Sequence, residues 1–168
     1  MARQSISFTQ PNDEWLKTQV DNQEYSSKSE LVNDLIRQAR SQQVQIDWIK
    51  AKLEKAENSG FTNDGKEQIV YYLMAKYRLS NEAQDDLIRI HRYGVKKFGL
   101  IQANKYFDSL FEYFDIIDKR PYSFESVGYI KEGYRRCVCG SDNIYYKITN
   151  DAVDIMAIIG RQDLKNIL

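Results

Sequence analysis

The sequence predicts an α+β fold in two parts, and three features predict it. Up to Ala56, one short alternating segment is followed by apolar residues at helical spacing. Beyond Lys76, a short strand pattern and two amphipathic helices precede three strand patterns, which are separated by Gly140-Ser141-Asp142-Asn143 and Asn150-Asp151. Between these parts, Gly60-Phe61-Thr62-Asn63-Asp64-Gly65 interrupts both periodicities. The expected organisation is residues 1–57, a junction over 58–75, and a second domain over 76–168.

Composition narrows the function classes. Of the 168 residues, 42% are hydrophobic, which excludes wholesale disorder. Net charge is zero, with 9 Lys and Arg against 11 Asp and Glu up to Leu73 and 15 against 13 beyond it. Halves of about −2 and +2 suit parts that bind each other. They exclude a broadly basic nucleic-acid surface, so any DNA contact must be a local patch on an oligomer. Met1-Ala2-Arg3-Gln4 leads directly into polar alternation, and no apolar run approaches the roughly 20 residues of a membrane helix, so a cytoplasmic protein with no membrane contact is expected. Cys137 and Cys139 share one face of a strand, a poor disulfide geometry, and no second pair or nearby histidine completes a metal site. Neither cofactor nor metal is expected.

In the first part, Ser5-Ile6-Ser7-Phe8-Thr9 reads as a strand, with Ile6 and Phe8 on one face. A lone strand needs a partner, here a second chain or a distant strand. Pro11 ends it, and Asn12 or Asp13 is positioned to cap a helix carrying Trp15, Leu16 and Val20. Ser27 with Glu30 forms a capping box for a second helix with the stripe Leu31, Leu35, Ile36 and Ala39. Its amide-rich start suits a phosphate. A third helix carries Val44, Ile46, Ile49, Leu53 and Ala56 on one face, with Trp48 beside them, and is expected to lie in a groove.

The order strand, helix, Tyr25-Ser26-Ser27-Lys28-Ser29-Glu30-Leu31-Val32, helix resembles ribbon-helix-helix repressors, specifically the ParD antitoxin family, over about residues 3 to 57. The resemblance implies a homodimer whose paired N-terminal strands enter the major groove of operator DNA. Arg3, Ser5 and Ser7 would then face base edges, and the Lys28-Ser29 amides would anchor phosphates.

In the second part, Lys76 to Ser80 reads as a strand, and Ser80 or Asn81 caps a long helix whose apolar face includes Ala83, Leu87, Ile90, His91, Gly94, Val95 and Phe98. Gly99 ends it. A second helix from about Gln102 to Asp118 completes an antiparallel hairpin, and Pro121 closes it. Strands are expected at Tyr134–Cys139, Ile144–Ile148 and Val153–Ile159, giving an antiparallel sheet packed on the hairpin.

The segments YRLSNEAQDDLIRI, EGYRRCVCGSDNIYYKI and AIIGRQD resemble ParE toxins of the RelE/ParE superfamily, over about residues 76 to 164. That resemblance implies a growth-inhibiting, plasmid-stabilising type II toxin-antitoxin system, with DNA gyrase as the toxin's target. RelE-type relatives instead cleave messenger RNA on the ribosome. For that alternative the candidates are Arg135, Arg136 and Tyr145, with Arg161 nearby, because phosphoryl cleavage needs cations as well as an acid and a base. His91 is placed in the core rather than in catalysis, and Asp142 stands where related sequences often carry histidine. A protein-binding poison is therefore favoured over an enzyme, and an inert toxin attached to a working repressor is the remaining alternative.

The two resemblances together imply an antitoxin joined to its toxin, with Trp48, Ile49, Leu53 and Phe61 as the contacts that cover it. Met74-Ala75-Lys76 has the form of a start immediately before the toxin's first strand. In the junction, Asp64 with Glu67 is positioned to cap a short helix through Ile69 to Leu73, and IVYYL equally suits an extension of the following strand. Docking of the joined parts would occur within one chain or by exchange between two.

Overall fold

The computed structural model describes residues 5–61, 77–149 and 152–165. Arg3, the Ile69 to Leu73 segment and the Met74-Ala75-Lys76 start lie outside the described residues. The chain divides into two compact units, Met1–Val44 and Gln45–Leu168.

In the first unit, residues 5–9 form no strand in this single chain, contrary to the alternating pattern. The physical reason is that a ribbon strand needs a partner for its backbone groups. Helix α1 spans Gln10–Asp21 and starts earlier than Asn12, because Thr9 is the N-cap and Pro11 sits in the first turn, where a missing N–H costs nothing. Helix α2 spans Lys28–Ser59. The second and third expected helices are therefore one, since Ala39 to Gln45 contains neither Gly nor Pro to break it. The expected capping box forms in modified shape: the Ser27 hydroxyl accepts the Glu30 N–H at 3.2 Å, while the Glu30 carboxylate accepts the N–H of Ser26, one residue before the cap, at 2.9 Å. Leu16 and Leu31 are buried, whereas Leu35 and Ile36 are 40% and 48% exposed.

The second unit is a five-stranded sheet in the order β1-β5-β4-β3-β2. Strand β1 is Tyr77–Leu79, followed by helices α3 (Asn81–Phe98) and α4 (Leu100–Lys119). Then come β2 (Glu125–Ser126), β3 (Tyr134–Cys139), β4 (Asp142–Ile148), β5 (Val153–Gly160) and the short α5 (Arg161–Lys165). The β2 to β5 pairings are antiparallel, but β1 pairs parallel with β5, which corrects the all-antiparallel expectation. The helical hairpin and the meander return the chain beside β1 running in the same direction, a register that bidentate pairing of Arg78 with Asp154 at 2.7 and 3.0 Å reinforces.

The Ser80 hydroxyl caps α3 by accepting the Ala83 N–H at 3.0 Å, as its position in the sequence suggested. Gly99 turns the hairpin at a φ of 83°, a conformation that side chains resist. Gly140 is required twice: its φ is 57°, and a Cβ there would lie 2.9 Å from the Tyr106 ring. Leu87, Ile90, Leu110, Phe114 and Ile117 of the hairpin pack on Cys137, Tyr146, Ile155 and Ile158. Val95 and Phe98, expected inside, are 36% and 62% exposed, so the buried face of α3 ends at Ile90. Both cysteines are free and buried, and burial pushes the Cys137 thiol up to about 12.

Candidate functional site, a helix-covered sheet face

The functional candidate lies on the sheet face opposite the hairpin. Alternation along β3 and β4 directs Tyr134 and Tyr145 there, and β5 adds Met156, Ala157 and Ile159. Val127 and Ile130 complete this apolar floor, and residues 45–59 of α2 cover it with Ile49, Leu53 and Ala56. Leu53 has no exposed surface, and Trp48 and Ile46 pack at the margin. Burying Ile49 and Leu53 contributes about 1.5–3 kcal/mol each as an upper estimate.

Charges line both margins. On one side Lys52 lies 3.0 Å from Glu82 and 2.8 Å from Asp86, and Lys55 lies 2.7 Å from Glu82. Desolvation opposes ionisation of Glu82, but the Lys55 and Lys52 ammoniums prevail and hold its carboxyl below the usual range. On the other side Glu57 lies 3.0 Å from Lys131 and 3.6 Å from Lys147, and accepts the Tyr134 hydroxyl at 2.9 Å. Here too desolvation is opposed, by Lys131 and Tyr134, and Glu57 titrates below its ordinary value. The helix end is tied down as well: Asn81 donates its side chain to the Ser59 carbonyl at 2.6 Å and its backbone N–H to the Gly60 carbonyl at 3.0 Å.

Of the four expected interface residues, Ile49 and Leu53 are buried on the sheet face and Trp48 packs beside it. Phe61 is different. It bridges to Ser80 and lies under the Arg78 guanidinium at 4.5 Å, but remains 36% exposed. The charged contacts Lys52, Lys55 and Glu57 were missed, although their arrangement beside the Ile49-Leu53-Ala56 stripe was visible in the sequence.

The residues of the nuclease alternative are only partly together. Arg136 and Tyr145 are cross-strand partners, but Arg136 is in an ion pair with Glu125, and Tyr145 is 1% exposed beneath the helix. Burial raises the Tyr145 phenol, against the pull of Arg136. Arg135 points to the other face, donating to the Phe124 carbonyl at 2.7 Å and stacking over Tyr122. Arg161 is exposed at the start of α5. His91 is only half-buried, because it sits between the hairpin's helices: its Nε2 is 2.9 Å from the Asn104 side-chain oxygen, and its ring meets Phe107 edge-on.

In the other unit, Ser5 and Ser7 are exposed, and Lys28 is paired with Asp13. Ser29 lies in the first turn of α2, where its carbonyl accepts from the Asn33 side chain at 2.8 Å. Among the described residues no three His, Cys, Asp or Glu side chains gather to hold a metal, and no helix is long and apolar enough to cross a membrane.

A mixed sheet with a helical hairpin on one face and a helix over an apolar, tyrosine-bearing opposite face defines a small α+β domain. Residues 77–164 match the model of the ParE toxin of type II toxin-antitoxin systems, parDE, and the chain belongs to that family. It is similar to Toxin ParE1 of Caulobacter vibrioides, at 33% identity over 75 residues that cover 45% of this chain and 78% of that relative. A solved structure of the chromosomal ParDE toxin-antitoxin system from P. aeruginosa aligns with a TM-score of 0.47 at 16% identity, covering 52% of this chain and 96% of the other.

Proposed function

We propose that this chain is a toxin-antitoxin pair in one polypeptide, in which residues 45–59 neutralise the ParE-type domain that follows. The observation that carries this reading is the burial of Ile49, Leu53 and Ala56 on the toxin's own sheet face, over Tyr134 and Tyr145. The free toxin domain inhibits growth by binding DNA gyrase. Engagement of Arg136 by Glu125, within the toxin domain itself, favours a protein-binding poison over a ribonuclease.

Residues 1–44 act as a ribbon-helix-helix repressor that binds operator DNA as a dimer. Supporting this, Ile6, Trp15, Leu35 and Ile36 are between 40% and 62% exposed in one chain, large apolar side chains that a second copy would cover. Arg3, Ser5 and Ser7 would then read bases, while the Lys28-Ser29 amides anchor phosphate.

The test is expression of the full chain carrying Leu53→Asp. Growth arrest with loss of gyrase supercoiling and intact transcripts is expected. Specific transcript cleavage would replace the gyrase reading with the ribonuclease one, and unaffected growth with normal accumulation would leave only the repressor. Salt-sensitive operator binding that weakens on Arg3→Ala tests the DNA arm separately.

A further inference from the structure

The helix that covers the sheet is sorted by charge about its axis, with the exposed Lys50 as the exception on the carboxylate flank. At 3.6 residues per turn, Lys52 and Lys55 fall on one flank of the Ile49-Leu53-Ala56 stripe, and Glu54 and Glu57 fall on the other. The groove is sorted in the opposite sense. Its wall on α3 presents Glu82 and Asp86 to the lysines, and its wall beside β3 and β4 presents Lys131 and Lys147 to the glutamates.

We infer that these two walls form a charge filter that admits an inhibitory helix in one direction only, and selects helices carrying cations on one flank and carboxylates on the other. This rests on the reading of residues 45–59 as the toxin's cover. Turning the helix end for end keeps the apolar stripe on the sheet but exchanges its flanks. Lys52 and Lys55 would then face Lys131 and Lys147, and Glu54 and Glu57 would face Glu82 and Asp86. Such a reversal repacks the apolar stripe but keeps it on the sheet, whereas like charges held at a desolvated margin reject it.

The pairs are not equivalent. The Lys52 side chain is only 13% exposed, Glu82 10% and Asp86 3%, so this contact is shielded from solvent and salt. Lys131 and Glu57, at 20% and 34%, are more open, and Lys131 reaches Glu54 only at 4.0 Å. Lys52 with Glu82 is therefore the principal reading contact, and Glu57 with Lys131 the secondary one. Asp86 has a further role, since it accepts the Ile158 N–H at 2.9 Å and pairs with Arg89, so it is unsuited to an exchange experiment. A free antitoxin helix with the same placement of charge is the kind of partner that exchanges with the tethered one.

The experiment is hydrogen exchange of the full chain at neutral pH, following the amides of residues 45–59 with those of α4 as an internal reference. Lys52→Glu and Glu82→Lys are each expected to speed exchange of the helix by about 30-fold or more. Because Asp86 still faces position 52 and Lys55 still faces position 82, the pair Lys52→Glu with Glu82→Lys is expected to recover in part, exchanging about 5-fold or more slower than the product of the two single effects. On the other flank, where Lys147 and Glu54 stay in place, Glu57→Lys with Lys131→Glu should show the same partial recovery at smaller amplitude.

Paired variants whose effect equals the product of the single effects, with no coupling, would overturn the filter. If a single variant opens the entire domain, the α4 amides exchange too. Recovery of both sets in the paired variant then carries the inference, and its absence overturns it. Growth distinguishes this from the underlying reading: a Lys52→Glu chain that opens without inhibiting growth removes the neutralisation assignment, while recovery in the pair still upholds charge selection.

Discussion

On one face of the sheet the cover is the α3–α4 hairpin, whose helices are joined at Gly99 and follow directly from β1; on the other it is residues 45–59 of α2, separated from β1 by residues 60–76. The hairpin face is aromatic and aliphatic, with Phe107, Phe111 and Phe114 in successive ring contact and Phe114 beside Tyr77. The α2 face has a narrower apolar stripe with ion pairs along both margins. A cover held by few apolar side chains and many charges can open while its neighbour stays folded, since local stability follows the apolar area each element buries. The α2 segment is therefore expected to open at a lower cost than the hairpin.

Substitutions can break that contrast. Phe114→Ala, at a fully buried hairpin position, is expected to cost about 3–5 kcal/mol and to unfold the domain as one transition in thermal melts. Leu53→Ala is equally buried but is expected to cost about 2–4 kcal/mol, appearing as faster exchange across residues 45–59 while the α4 amides stay protected. A single global transition for Leu53→Ala would abolish the distinction between the two faces.

Acid provides a gentler probe. Glu57 and Glu82 have folded values below the ordinary 4.5, so their stabilising contribution is complete above that value and is lost as pH falls through their lowered ones. Trp48 fluorescence is expected to report loosening of the α2 cover below about pH 4.5, ahead of the far-ultraviolet signal of the sheet and hairpin. Simultaneous loss of both signals would argue against a separable cover. The smallest effect is expected for Phe61→Ala, under about 1 kcal/mol by denaturant melts, because Phe61 remains partly exposed and its main partner is a cation over the ring.

Much of the second unit was legible because its signals are local. The span of β3, the Ser80 cap and the Gly99 turn each follow from a few neighbouring residues. Of the covering contacts, Ile49 and Leu53 were readable from helical spacing alone. The uninterrupted α2 was not, because a capping pattern marks where a helix begins while the absence of a breaker gives no visible sign of continuation. Phe61 reaches Ser80 and Arg78 yet stays partly exposed, a degree of burial that a large apolar residue after a helix does not reveal by itself.

The sequence of β5, Val153-Asp154-Ile155-Met156-Ala157-Ile158-Ile159-Gly160, is apolar on both sides of the strand apart from Asp154, a composition that suits a strand covered on both faces. It also contained the two charged flanks of α2, since helical periodicity fixes which side chains share a side. Only the tertiary structure decided which element covers which face, and that the opposing walls carry Glu82 and Asp86 on one side and Lys131 and Lys147 on the other. Those partners lie between 25 and 90 residues further along the chain, and residues that far apart are brought together by topology, which no local periodicity encodes.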